Sequence, residues 1–262
     1  MKLYQNFKIK NKIAIVIGGS GQLGQNTINV LLEAGCKVIN LDLFSFTKKN
    51  KNNYFFYKTD ITDENQIIFN RDAIKKKFKK IDILINHSHF KGGKKLKVKN
   101  NFFSELKKYP SDIWKKTIDV NINGMFYSTK HFLPLLLKNK TSVVVNTSST
   151  YGKISPNKNI YGKSGINCPI SYTTSKFAVI GFTKYLATHY ADKGLRANIL
   201  VPGGIKNPRH SISFKKNYAA NTPLKRLSDE KEYREAILFL VSNASSYMSG
   251  SELVIDGGWT AW

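Results

Sequence analysis

The 262-residue chain has only two cysteines, Cys36 and Cys168. That excludes a disulfide framework and points to a reducing compartment. No apolar run approaches the roughly 20 residues that span a bilayer. The first 12 residues are charged and interrupted, unlike a secretory signal. A cytoplasmic protein without a membrane partner is expected. Arginine is scarce as well: 5 of the 42 basic residues, against 37 lysines. Base readout leans on the planar arginine fork, so a net charge of +25 does not by itself indicate nucleic acid. It reads instead as lysine- and asparagine-rich usage on solvated faces. One local concentration, residues 91–99 with five lysines, suits countercharge for an anionic substrate.

Hydrophobic residues make up 41% of the chain, enough for a substantial core. β-Branched runs alternate with helical patterns. Strands are expected at 12–17 (KIAIVI), 37–41 (KVINL), 54–57, 81–85 (IDILI), 142–146 (SVVVN), 196–201 and 252–255. Helices are expected from the glycines after the first strand to about Ala34, and at 64–80, 111–137, 171–190 and 229–241. Nearly continuous apolar strands separated by helices predict a parallel sheet covered on both faces. The fold class is therefore α/β, a doubly wound, Rossmann-like sheet forming one domain over residues 1–262.

Gly18, Gly19, Gly21 and Gly24 lie between the first strand and the first helix, where backbone must approach a pyrophosphate and a helix offers free N–H groups. Asp42 ends the second strand, 18 residues after Gly24. A carboxylate there accepts hydrogen bonds from adenosine ribose hydroxyls and repels a 2′-phosphate. NAD is thus favoured over NADP, although Lys48, Lys49 and Lys51 soften the repulsion. Tyr172 and Lys176 stand one helical turn apart on one face. A tyrosine with its usual pKa near 10 is a poor base at neutral pH, and a nearby ammonium favours its phenolate. Ser149, just past the fifth strand, is placed to hydrogen-bond a reacting oxygen.

Together these motifs resemble the short-chain dehydrogenase/reductase superfamily over nearly the whole chain. The matching segments are GGSGQLG (18–24), Asp42, Asp60 in KTDITD, Asn86, DVNINGMF (119–126), NTSSTYG (146–152), Tyr172 and Lys176 in SYTTSKFAVIGFTKYLA, RANILVPGGI (196–205) and the ending SGSELVIDGGW. The resemblance implies an oxidoreductase that passes hydride between a nicotinamide and a carbinol carbon of a small molecule, with no metal; His87 and His89 lack a third ligand cluster. Tyr172 would be the general acid/base, Lys176 would tune it and hold the ribose, Ser149 would orient the substrate oxygen, and Asn121 would hold a relay water. Cofactor contacts are implied for Gly18, Gly21, Gln22, Leu23, Gly24, Asp42, Asp60, Ile61, Asn86, Tyr172, Lys176, Pro202, Gly203 and Ile205. A homodimer or homotetramer, paired through the helices carrying Asn121 and Tyr172, is implied too.

Three departures stand out. Gln22 occupies a family glycine, leaving the 18, 21, 24 spacing of the extended branch. The family's Asn-Asn-Ala-Gly is Asn86-His87-Ser88-His89 here, putting bulk beside the nicotinamide ribose. Ser149 and Tyr172 are 23 residues apart, more than the family's usual dozen or so. The insertion, about 153–170, is expected to wall the substrate pocket with the polar side chains of Asn157, Lys158, Asn159, Lys163 and Asn167. Cys168 within it reads as a small buried filler; a redox role has only its location in favour. The insertion is similar to that of a bacterial subgroup linked to surface-glycan sugars, including flagellin modification, which suits a phosphorylated or nucleotide-linked sugar. The alternatives are reduction of a lipid-like or acyl-carrier-bound ketone, and a non-catalytic NAD sensor.

Overall fold

The computed structural model describes residues 3–47, 52–90, 92, 101–162 and 167–262. The basic concentration at 91–99 (Gly92 apart), Lys48, Lys49, Lys51 and Lys163 lie outside the described residues. In chain order the elements are β1 (Ile13–Ile17), α1 (Gln22–Glu33), β2 (Lys37–Asp42), β3 (Tyr54–Lys58), α2 (Glu64–Phe78), β4 (Ile83–Asn86), α3 (Ser111–Ile118), α4 (Gly124–Leu136), β5 (Ser142–Thr147), α5 (Ile170–His189), β6 (Leu195–Pro202), α6 (Ile212–Ala220), α7 (Arg234–Val241) and β7 (Glu252–Ile255). The strands form one parallel sheet in the order β3-β2-β1-β4-β5-β6-β7.

Alternation along each strand splits the core into two layers. Ala14 and Val16 join Val38, Ile83 and Val143 under Ile28 and Leu31 of α1 and Ile237 and Leu240 of α7. Ile15 and Ile17 face the other way, joining Ile39, Leu84 and Val144 under Ile67 of α2, Phe132 of α4 and Leu186 of α5. Each fully buried Ile or Leu contributes roughly 1.5–3 kcal/mol relative to exposure. Both faces of a strand such as IAIVI must therefore be covered, and a doubly wound sheet does so.

Two elements differ from the sequence expectation. The predicted single helix over 111–137 is interrupted by a π-helical turn at Asp119–Asn123, between α3 and α4. Its cause is tertiary: the Asn121 side chain accepts from the Phe90 N–H at 2.7 Å and donates to Ser175 Oγ at 2.8 Å. The second difference is α6, which the patterning missed because its apolar residues mark no single stripe; Ser211 caps it by accepting from the Phe214 N–H at 3.2 Å.

Candidate active site

The C-terminal edge of the parallel sheet gathers the ends of β1, β2, β4, β5 and β6, and almost every residue singled out from the sequence stands there. Gly18 follows β1 with φ +74, a conformation that costs L side chains 1 kcal/mol or more, about. A Cβ on Gly18 would also lie 2.7 Å from the Ser88 nitrogen, and one on Gly24 would run into the Gly18 carbonyl and lie 2.6 Å from Gly19 Cα. The loop is thus compressed so that α1 starts directly beneath it. The N-cap of α1 is Gly21, which supplies no side-chain cap, so the first-turn N–H groups are left to an anion. Leu23 packs into the core below.

Gln22, the first departure, acts as a clip. Its Nε2 donates to the Lys206 carbonyl at 2.8 Å, joining the glycine loop to the segment after β6. That segment is itself tight: a Cβ on Gly203 would lie 2.7 Å from Asp256 Cα, and Ile205 bridges to Ser228. Pro202 ends β6, paired with Ile255 of β7.

Asp42 caps the other side of the loop. Its Oδ2 accepts from the Ser20 N–H at 2.9 Å and its Oδ1 from the Leu43 N–H at 2.7 Å. Burial raises its pKa, and these N–H bonds oppose the shift. Asp60 Oδ1 accepts from both the backbone and the hydroxyl of Thr62, at 2.9 and 2.7 Å, which fixes the turn after β3. Buried Ile61 sits against Gly124, where a Cβ would be 2.7 Å from its side chain. Asn86 ends β4. Its amide is buried, donating to Asn146 Oδ1 at 2.7 Å and Thr129 Oγ1 at 3.4 Å.

The proton-handling residues converge from β5, α5 and the π-helical turn. Ser149 begins the turn Thr150–Gly152 and accepts from the Tyr151 N–H at 3.2 Å. That turn lies on α5 because residue 152 is glycine: a Cβ there would strike Ser148 Oγ and sit 2.7 Å from the Lys176 carbonyl. Ser149 is thereby brought beside the Tyr172 phenol. Burial pushes that phenol up to about 12, and the Ser149 bond pulls it down. The Lys176 Nζ lies 5.6 Å from the Tyr172 ring centroid and donates to the Thr147 carbonyl at 2.8 Å. Asn121 is 3% exposed and both ends of its amide are engaged. One N–H, a second oxygen lone pair and its backbone stay available to a water.

The second departure resolves into two opposite orientations. His87 turns inward, its Nε2 2.9 Å from Thr27 Oγ1 and its Nδ1 2.7 Å from Thr147 Oγ1. Burial, then the Lys176 charge, push its pKa down to about 3. His89 turns outward, its ring edge-on to Tyr172 at 6.2 Å between centroids. Among the described residues no group of three His, Cys, Asp or Glu side chains could hold a metal, and no helix is long and apolar enough to cross a membrane.

The insertion differs from its expected character. Lys158 and Asn159 are exposed, and Asn157 spends its Oδ1 on the Asn159 N–H at 2.9 Å. The side that faces inward is aromatic: Tyr151, Ile160, Tyr218, Leu227 and Trp259 form a cluster against which Tyr161, Cys168, Tyr172 and Phe214 pack. Tyr218 of α6 stacks on Trp259 at 4.4 Å, and Phe214 of the same helix packs on Tyr161 at 5.7 Å. Burial raises the pKa of the Tyr151, Tyr161 and Tyr218 phenols and takes the Cys168 thiol up to about 11, so all stay protonated at neutral pH. Counting polar residues along 153–170 without their direction hid this wall. The i, i+4 pair Phe214–Tyr218 was the signal available for it.

A family model described as enoyl-(acyl carrier protein) reductase matches residues 23–260. The chain belongs to the short-chain dehydrogenase/reductase family. It is an oxidoreductase. Among its relatives is 3-oxoacyl-(acyl-carrier-protein) reductase of Buchnera aphidicola, 30% identical over 96% of this chain and 98% of that protein. Similar solved structures include a short-chain dehydrogenase from Leptospira borgpetersenii with bound NAD+, 30% identical, TM-score 0.87, covering 97% of this chain and 94% of that one. Another is the aldohexose dehydrogenase of Thermoplasma acidophilum, 26% identical, TM-score 0.82, covering 97% and 95%.

Proposed function

We propose that this short-chain dehydrogenase/reductase interconverts a secondary hydroxyl and a ketone on a polar, sugar-like small molecule, phosphorylated or nucleotide-linked, within surface-glycan sugar biosynthesis. The observation that carries the reaction type is the convergence of Ser149, the Tyr172 phenol and Lys176, the last buried one turn further along α5.

NAD fits the cradle: the compressed glycine loop from Gly18 to Gly24 takes the pyrophosphate, and Asp42 takes the adenosine ribose. Gln22, Leu23, Asp60, Ile61, the Asn86 backbone, Pro202, Gly203 and Ile205 complete its walls. When bound, the nicotinamide supplies or accepts hydride at the carbinol carbon. The chain's own residues handle the proton. Tyr172 Oη takes it from the hydroxyl in oxidation and returns it in reduction, while Ser149 Oγ holds the substrate oxygen. The Lys176 ammonium, held by the Thr147 carbonyl, offsets the burial that keeps the phenol protonated. Asn121 anchors the π-helical turn and orders a relay water.

The substrate reading rests on the insertion at 153–170, whose Tyr161 and Cys168 pack with Tyr172 against the Tyr151, Tyr218 and Trp259 cluster and so bring it beside the reacting phenol. An acyl-carrier-bound ketone is the second reading. The Buchnera relative favours it, a +25 chain suits an acidic carrier, and the aromatic wall takes away the polar-pocket argument against it. Pairing into a dimer or tetramer is supported by Trp114, Phe126, Phe177 and Tyr185, large apolar side chains 37–53% exposed on α3, α4 and α5.

The deciding experiment offers NAD and NADP with sugar phosphates, nucleotide sugars and acyl-carrier ketones, following nicotinamide absorbance. Turnover confined to sugars with NAD is expected. Turnover confined to acyl-carrier ketones would replace the substrate, and tight NAD binding without turnover on any of them would indicate a sensor.

A further inference from the structure

His87 is 6% exposed, and the proton chemistry above does not use it. It nevertheless touches both halves of the site. Its Nε2 meets Thr27 Oγ1 at 2.9 Å, on α1 just inside the glycine loop. Its Nδ1 meets Thr147 Oγ1 at 2.7 Å, on the last residue of β5. The carbonyl of that same Thr147 accepts from Lys176 Nζ at 2.8 Å. Thr27 and Thr147 are both buried, so neither hydroxyl has water as a substitute.

A neutral imidazole carries one donor and one acceptor on opposite sides of a rigid ring. Bonded at both nitrogens, the ring cannot turn without breaking two buried hydrogen bonds. The backbone supports the same arrangement: the His87 N–H donates to the Ile17 carbonyl at 3.0 Å, directly before Gly18. We infer that His87 is a positioning residue that fixes the Thr147 peptide, and through it the Lys176 ammonium, in register with the glycine loop. The chain would then couple its cofactor cradle to its lysine through one side chain.

The inference rests on reading Lys176 as the group that tunes Tyr172. The phenol is faced by Cys168 and Tyr161 from the insertion, His89 from beyond β4, Tyr218 from α6, and Lys176 on its own helix; exchanging His87 or Thr27 removes none of these groups, so a shift reports on where the Lys176 ammonium sits. The test needs no substrate. Protein labelled with 13C at tyrosine Cζ, saturated with NAD, is titrated by NMR, and Tyr172→Phe assigns the Tyr172 signal. Lys176→Met, His87→Asn and Thr27→Val are compared with wild type, with melting temperatures alongside. Displacing the ammonium disfavours the phenolate, so all three substitutions should move the Tyr172 titration to higher pH, Lys176→Met furthest. His87→Asn and Thr27→Val should each weaken NAD binding by about tenfold, the worth of one buried hydrogen bond. If Lys176→Met shifts the titration while His87→Asn and Thr27→Val leave it at the wild-type pH, His87 is only a satisfied core residue, whatever the melting temperatures. If Lys176→Met itself shifts nothing, the reading of Lys176 fails first.

Discussion

Gly152 offers the sharpest single-atom test of how the site is assembled. Adding one methyl, Gly152→Ala, places a Cβ against Ser148 Oγ and 2.7 Å from the Lys176 carbonyl, both buried. Neither neighbour is the free end of a flexible chain: Ser148 Oγ is tied to the Lys176 carbonyl at 2.7 Å, and that carbonyl belongs to the backbone of α5. The turn Thr150–Gly152 must therefore lift from the helix. Overpacking of this kind costs roughly 1–3 kcal/mol. At about 2–4 °C per kcal/mol for a chain of this size, the melting temperature should fall by roughly 2–12 °C. Ser149 opens the same turn, so it moves away from Tyr172, and a misplacement near 1 Å costs about 100-fold in turnover. Gly152 is far along the chain from the glycine loop, so NAD affinity should hold. Differential scanning fluorimetry, NAD titration and turnover on the substrate the panel identifies would measure all three. A variant with wild-type melting temperature and wild-type turnover would refute the close packing of that turn on α5.

Other consequences can be checked separately. Asp42→Ser removes the carboxylate that accepts the Ser20 and Leu43 N–H groups; NAD affinity should fall about 10- to 100-fold, as expected for a charged hydrogen-bond acceptor, while NADP affinity rises. Unchanged preference in equilibrium binding would remove Asp42 from cofactor selection. His87 also predicts the acid side of stability. Its pKa is pushed down from 6.5 to about 3, so the unfolded chain takes up a proton that the folded one refuses. Stability should therefore be lost as pH falls from 6.5 toward 3, at up to about 1.4 kcal/mol per pH unit from this group. His87→Asn should flatten that part of the urea-unfolding profile, and parallel profiles would contradict a neutral, buried imidazole.

The strands, the glycine loop and the Ser149, Tyr172, Lys176 set were legible because each depends on local pattern: apolar runs for strands buried on both faces, glycines where backbone packs on backbone, and i, i+4 spacing on α5. What escaped depended on direction or on distant partners. The π-helical turn at Asn121 is set by Phe90 and Ser175, which no local pattern names. His87 and His89 are two residues apart, yet one is buried between threonines and the other faces Tyr172. The insertion was read by its polar content, whereas Ile160 and Tyr161 turn inward and Lys158 and Asn159 turn out. The burial of the Tyr172 phenol and the bond from the Lys176 ammonium to the Thr147 carbonyl likewise depend on residues distant in the chain.

The central claim is that Tyr172 Oη carries the proton. Tyr172→Phe deletes that oxygen and leaves the ring within the aromatic cluster and Lys176 on its carbonyl. Turnover and NAD affinity of this variant, measured side by side, test the claim most directly. Loss of positioned acid/base catalysis should cut turnover by at least about 100- to 10,000-fold, with NAD affinity within a few-fold of wild type. Turnover near the wild-type rate would contradict it.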